Sequence, residues 1–178
     1  IIVTGACGFL GRKHAEAIAS YGGIPILIDL SEEAVSLMSK EINDKYDVNS
    51  QGYKVDITNE VMVEKNSKEI MRINNQIDGL VNNAANNPKV DKENTNLSRL
   101  ESFSLETWEK DIAVGLTGAY LCTKYYGSNM AKNNTGGSIV NISSDLGLIA
   151  PDQNLYANNS LTEDKQPVKP VTYSVVKT

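Results

Sequence analysis

The β-branched run Ile1-Ile2-Val3 passes directly into Thr4-Gly5-Ala6-Cys7-Gly8-Phe9-Leu10-Gly11, and a helical pattern follows. No other feature constrains the chain as tightly. A buried strand that ends in a spaced glycine loop and opens a helix is the entry to a βαβ unit. Gly5 allows a tight turn, Gly8 lets backbone approach a bound group, and Gly11 lets helix and strand pack closely. The helix start offers free N–H groups and the positive end of the dipole, which suit phosphate. A lone glycine pattern is weak evidence, but this one has the strand before it and the helix after it. The competing reading is a glycine-rich turn with no ligand.

The rest of the chain keeps the same alternation. The first helix is expected to bury Leu10, Ala17, Ile18 and Tyr21, and Gly22-Gly23 stops it. Ile24 to Asp29 reads as a second buried strand. Ser31 caps a helix with Glu32 and Glu33 in its first turn, and Ala34, Val35, Leu37, Met38 and Ile42 form its inner face. Tyr53 to Ile57 reads as a third strand, with a helix to about Asn74, and Ile77 to Asn82 as a fourth strand. Asn83 to Ser102 is polar and irregular. A capped helix begins near Ser104 and runs to about Ala131, and Ser138 to Ile142 is a fifth strand. A second polar loop spans Pro151 to Pro170, and Val171 to Thr178 looks like the opening turns of a helix. Alternating strands and helices joined by short turns imply a parallel sheet covered on both faces, in the doubly wound, Rossmann-type α/β class. Ligands bind at the carboxyl edge of such sheets, where both long loops lie. The length of 178 residues fits one dinucleotide-binding and catalytic domain over 1–178.

Charge narrows the partners. Lys plus Arg is 17 against 22 for Asp plus Glu, a net charge of −5, with no basic stripe for nucleic acid or an anionic membrane. No apolar run approaches the roughly 20 residues of a membrane helix. Two cysteines, Cys7 and Cys122, make no disulfide framework, and the expected compartment is the reducing cytoplasm. Cys7 is either a reactive loop thiol or a small buried filler, the latter being commoner. The single histidine, His14, has no second histidine or cysteine pair to join, so no protein metal site is expected.

Five positions suggest chemistry before any resemblance is invoked. Asp29 closes the second strand, where a carboxylate meets the ribose hydroxyls of a dinucleotide and repels a 2′-phosphate; otherwise it is a solvated strand end. Asp56 either reaches the adenine edge or caps the next helix. Tyr173 and Lys177 stand four apart on the last helix and share a face. An ammonium one turn away and a nicotinamide cation would make that tyrosine a usable general acid–base. Ser144, at the end of the fifth strand, either donates to a substrate oxygen or caps a turn.

Together these residues resemble the short-chain dehydrogenase/reductase family. Thr4 to Gly11 is similar to its cofactor loop, Asn82-Asn83-Ala84-Ala85 to its Asn-Asn-Ala-Gly motif, Val140 to Ser144 to its catalytic-serine strand, and Tyr173 to Lys177 to its Tyr-x-x-x-Lys motif. The resemblance covers the whole chain and implies Ser144, Tyr173 and Lys177 as catalytic residues. Tyr173 is then the acid–base, Ser144 positions substrate, and Lys177 holds the nicotinamide ribose and lowers the tyrosine pKa. It implies a cofactor set of Gly5, Gly8, Phe9, Leu10, Gly11, Asp29, Asp56, Ile57, Asn83, Ala84, Tyr173 and Lys177. The cofactor is NAD rather than NADP, the substrate a small-molecule alcohol or ketone, and the full-length parent a homo-oligomer.

The sequence departs from the family pattern in four places. The glycines fall as in its extended, sugar-nucleotide branch. Gly115 stands where an asparagine is usual, so restoring asparagine in the full-length parent is expected to raise the melting temperature without lowering turnover. The interval from Ser144 to Tyr173 is long, and the chain stops one residue past Lys177, as a fragment would. The runs Ser144 to Gln153 and Gln166 to Tyr173 are similar to bacterial members associated with flagellin modification and surface-sugar synthesis, which implies a sugar-derived substrate. Two rival readings follow: a sugar-nucleotide epimerase or dehydratase with tightly held NAD, and a dinucleotide-binding module without catalysis.

Overall fold

The computed structural model describes residues 1–86 and 98–178. The chain forms two compact units. One comprises Ile1–Ala84 with Thr117–Ile142, the other Ala85–Leu116 with Ser143–Thr178.

The first unit holds the whole sheet. Strands β1 (Ile2–Thr4), β2 (Ile26–Asp29), β3 (Gln51–Lys54), β4 (Gly79–Asn82) and β5 (Ser138–Asn141) are all parallel, in the order β3-β2-β1-β4-β5. Side chains alternate between the faces of a strand. Val3, Leu27 and Val81 therefore share one face, and they pack with Ala15 and Ala19 of α1 (Phe9–Ser20) and Val35, Met38 and Ile42 of α2 (Glu32–Tyr46). Ile2, Ile28 and Leu80 alternate with them and are equally buried. Helices α3 (Glu60–Asn74) and α5 (Ala119–Cys122) supply further core residues: Val63, Ile70, Leu121 and Cys122. Ser31 caps α2 and Asn59 caps α3, each side chain accepting a backbone N–H three residues on.

Three local expectations are corrected. In α1 the buried face is Gly11, Ala15 and Ala19, while Leu10 and Ala17 are exposed and Tyr21 is 94% exposed. The sheet accepts only small side chains there, so steric fit outweighs hydrophobicity. In α2, Leu37 likewise faces solvent. Strand β3 is shifted towards the N-terminus: Gln51–Lys54 pairs with Ile26–Asp29, and the apolar Val55 and Ile57 are buried in the turn after it. An edge strand with modest burial carries little apolar alternation, so the burial signal came from the turn. Asp56 lies in that turn, accepting both the N–H and the hydroxyl of Thr58, and it does not cap α3.

The second unit has little regular structure. Ser104 caps α4 (Leu105–Ile112), accepting the N–H of Thr107. The helix continues as a π-helical stretch, Ala113–Gly118. Short 3-10 turns at Asp145–Gly147, Gln153–Tyr156 and Glu163–Lys165 punctuate the expected loop, and α7 (Val171–Val176) follows. The polar stretch from Asn83 to Ser102 falls partly outside the described residues. In the first unit, π-helical Thr123–Gly127 leads to α6 (Ser128–Met130).

Candidate active site

In the first unit the glycine loop is tied down from three sides. Gly5 has φ +60°, and a Cβ on it would stand 2.9 Å from Ala84 Cα. A Cβ on Gly11 would stand 2.1 Å from the Gly5 carbonyl oxygen, so helix and loop pack backbone to backbone. Buried Thr4 joins the ends of β1 and β4: its hydroxyl donates to the Val81 carbonyl and accepts the N–H groups of Asn83 and Ala84. The Asn83 amide donates to the carbonyls of Thr4 and Gly5. Asn82 donates across to Asn141 at 2.8 Å.

Asp29 makes the third tie. One carboxylate oxygen accepts the N–H of Cys7 at 2.9 Å and the other accepts that of Leu30 at 2.8 Å. Each oxygen retains room for a further donor. Burial first, and then the Asp29 charge, push the Cys7 thiol up to about 11, so it stays protonated and unreactive near neutrality. Arg12, in the first turns of α1, is paired with Glu41 at 2.6 Å. No side chain caps α1, whose start is Gly8. A helix start without a side-chain cap, a loop too tight for a Cβ at Gly5 or Gly11, and a strand-end carboxylate together fit a dinucleotide.

In the second unit the geometry gathers on α7. Tyr173 lies on this six-residue helix, and Lys177 is its C-cap, only 8% exposed. Burial lowers the Lys177 amine below the usual lysine range. The Lys177 carbonyl accepts the hydroxyl of Ser143 at 2.5 Å, and a Cβ on Gly147 would stand 2.0 Å from that same oxygen. The 3-10 turn after β5 is thus closed onto the end of α7. Ser144 caps this turn, accepting the Leu146 N–H and donating to the Asp145 carboxylate at 2.8 Å. At the start of α7, buried Thr172 donates to the buried Asp111 carboxylate of α4 at 2.5 Å. The Lys169 ammonium lies 3.8 Å from the centre of the Tyr173 ring.

A pocket of about 570 Å³ opens in the same unit, with Leu146, Leu148, Val168 and Val171 as apolar wall and Ser174 on its border. Arg99, Glu101, Gln153 and Lys169 also line it, so the pocket joins an apolar wall to charged and polar groups. Asp111, Thr172, Ser143, Gly147 and Lys169 escaped the reading of the sequence. Their partners are distant in the chain or carry no motif, and only the Tyr-x-x-x-Lys helix could have pointed to them.

The expectation for Gly115 is overturned. A Cβ there would meet Val176 Cβ at 2.6 Å and its Cγ1 at 2.7 Å. An asparagine side chain has no room beside Val176.

Comparison with known proteins places the chain in a family. The family model described as short chain dehydrogenase matches residues 1–157. The 3-oxoacyl-(acyl-carrier-protein) reductase FabG of Aquifex aeolicus is 36% identical over 149 residues, spanning 82% of this chain and 55% of that protein. The post-translational flagellin modification protein A of Campylobacter coli is 27% identical over 177 residues, spanning 99% of this chain and 65% of that protein. The chain thus spans between about half and two thirds of the length of these relatives. A crystal structure of NAD+-bound xylitol dehydrogenase superposes with TM-score 0.80 at 23% identity, covering 99% of this chain and 58% of the other, a likeness of fold. No helix among the described residues is long and apolar enough to cross a membrane.

Proposed function

The chain belongs to the short-chain dehydrogenase family, and on that premise we propose that it is an NAD(H)-dependent oxidoreductase interconverting a secondary alcohol and a ketone on a sugar-derived substrate. The observation that carries this reading is the α7 arrangement: Tyr173 on the helix and Lys177 as its C-cap, with the end clamped by the turn bearing Ser144.

Tyr173 takes the hydroxyl proton of the alcohol, or returns it to the ketone. Burial lowers the pKa of the Lys177 amine, and in its charged form in that partly desolvated setting it acts strongly on a phenolate oxygen and can hold a ribose hydroxyl. Ser144 turns its hydroxyl from Asp145 to the substrate oxygen and fixes it in line. The dinucleotide, when bound, supplies the hydride acceptor or donor. Gly5, Gly8, Phe9, Leu10 and Gly11 cradle its phosphates, Asp29 accepts from the adenosine ribose, Asp56 and Ile57 border the adenine, and Asn83 and Ala84 line the approach from β4. NAD is favoured over NADP because the Asp29 carboxylate would repel a 2′-phosphate and the nearby Arg12 is engaged by Glu41. The sugar-derived substrate follows from the resemblance of Ser144 to Gln153 and Gln166 to Tyr173 to bacterial members associated with flagellin modification and surface-sugar synthesis, and the likeness to a flagellin modification protein supports that subgroup.

The test is NAD+ reduction on a panel of acyclic polyols such as xylitol, free sugars and nucleotide-linked sugars, with dissociation constants for NAD and NADP. Turnover on at least one member and about tenfold tighter NAD binding, equivalent to about 1.4 kcal/mol, are expected. Binding of dinucleotide without turnover on any member would leave a binding module only. The glycine spacing favours one second reading, a sugar-nucleotide epimerase or dehydratase, and dinucleotide retained through purification would favour it over the first.

A further inference from the structure

Helix α7 is too short to hold its own orientation, since isolated helices below about 12–15 residues are marginal in water. Something outside it sets where Tyr173 and Lys177 project. Two contacts with the α4 segment are placed to do so. Thr172 hydrogen-bonds Asp111, and Val176 fills the space that the absent side chain of Gly115 leaves open. Thr172 and Val176 are four residues apart on α7, as Asp111 and Gly115 are on the facing segment. Residues so spaced lie on one face, a helical turn apart. Each pairs with its counterpart, so the two helices are keyed at two successive turns, once by a buried hydrogen bond and once by a methyl-sized fit. Gly115 lies in the π-helical stretch Ala113–Gly118, an extra-residue winding that re-aims the side chains beyond it.

We infer that Gly115 with Val176, and Asp111 with Thr172, are positioning residues that fix the rotation of α7 and thereby the direction of Tyr173 and Lys177. The functional residues each follow a keyed residue by one position: Tyr173 follows Thr172, and Lys177 follows Val176. Any rotation that relieves a side chain at 115 turns both functional side chains by the same angle. Bulk at 115 and bulk at 176 are therefore mutually exclusive. A side chain can stand at 115 only where 176 carries no Cβ in its present place.

This inference rests on the reading of Tyr173 and Lys177 as site residues, and its test needs no turnover. Lys177 is buried, so its reductive methylation, mapped by mass spectrometry, reports whether α7 is seated. Cys122, fully buried in the sheet-bearing unit, reports global unfolding through its thiol reactivity. The proteins are wild type, Gly115→Asn, Val176→Gly, which removes the Cβ that a side chain at 115 would meet at 2.6 Å, and the double variant. Methylation of Lys177 should rise at least about tenfold in Gly115→Asn while Cys122 stays protected, and should return towards wild type in the double variant. Lys177 remaining protected in Gly115→Asn, or remaining reactive in the double variant, would overturn the inference. If Gly115→Asn unfolds and Cys122 reacts, the second key decides: Thr172→Val should expose Lys177 and Thr172→Ser, which keeps the hydroxyl, should not. Equal protection in those two variants would refute it independently. Failure to oxidise any alcohol would count against the function alone and leave this labelling result standing.

Discussion

The two units solve the same problem, holding functional groups still, by different means. In the sheet-bearing unit the glycine loop is fixed redundantly. Thr4, Asn83 and Asp29 each bind at least two backbone groups, and beneath them lies a core of fully buried Val3, Leu27, Val35 and Met38. In the other unit a six-residue helix depends on a few specific contacts: Asp111 with Thr172, Gly115 with Val176, and Ser143 and Gly147 with the Lys177 carbonyl. Large apolar residues there remain exposed, among them Leu100, Leu105, Leu148 and Leu155. A dinucleotide loop must present backbone groups in one shape, which an extended core can enforce. A proton-handling helix needs only the right rotation, which a few keyed contacts can supply. The loop should therefore tolerate damage to α7, whereas α7 should be sensitive to single substitutions.

The largest effect tests that separation directly. Tyr173→Phe deletes the proton-carrying hydroxyl without changing ring packing. Turnover should fall by about 10²–10⁴, the usual contribution of a positioned acid–base. The dissociation constant for NAD should stay within about threefold, equivalent to about 0.6 kcal/mol. A large loss of NAD affinity with residual turnover would break the division of labour between the units.

The next effect sharpens the comparison from the other side. Gly11→Val drives a side chain into the Gly5 carbonyl oxygen, a backbone atom that cannot swing away. Overpacking of this kind costs about 1–3 kcal/mol or more. The variant should show a clear fall in thermal midpoint and lose measurable NAD binding by titration. A variant with wild-type midpoint and affinity would mean that the loop is not packed as described, and the case for redundancy in this unit would fail with it.

What was legible in the sequence follows the same boundary. The glycine loop, the strand ends at Thr4, Asp29 and Asn82, and the caps Ser31 and Ser104 all depend on neighbours within a few residues, so local pattern revealed them. The α1 face was misread because Gly11, Ala15 and Ala19 are buried for their smallness, a property of the opposing sheet. Strand β3 was misplaced because Val55 and Ile57, the apolar residues nearby, are buried beyond the ladder. The second unit was the hardest to read. Asp111 meets Thr172 across 61 residues and Ser143 meets Lys177 across 34, and neither pair belongs to a recognisable motif. Gly115 looked like a lost amide because only the structure places Val176 against it.

The smallest expected effect probes how tightly the sheet-bearing unit holds its loop, and Cys7 serves as the reporter. Its thiol stands at about 11 for two reasons of unequal weight, burial first and the Asp29 carboxylate second. Alkylation requires the thiolate, so the iodoacetamide rate at Cys7 should climb about tenfold per pH unit and level off only near that value. Asp29→Asn removes the negative charge but keeps the side-chain shape and one carbonyl acceptor for the loop. The thiol should then ionise at lower pH and alkylate several-fold faster at mildly alkaline pH. The gain stays modest because burial, the larger cause, is untouched. Cys122 provides the control: burial alone pushes it up to about 12, and it should stay unlabelled in both proteins until the unit unfolds. An unchanged or slower Cys7 rate in Asp29→Asn would show that the carboxylate does not sit against the loop. Simultaneous labelling of Cys122 would show instead that Asp29 is needed for the fold of the unit, so that its ties to Cys7 and Leu30 are not redundant with those of Thr4 and Asn83.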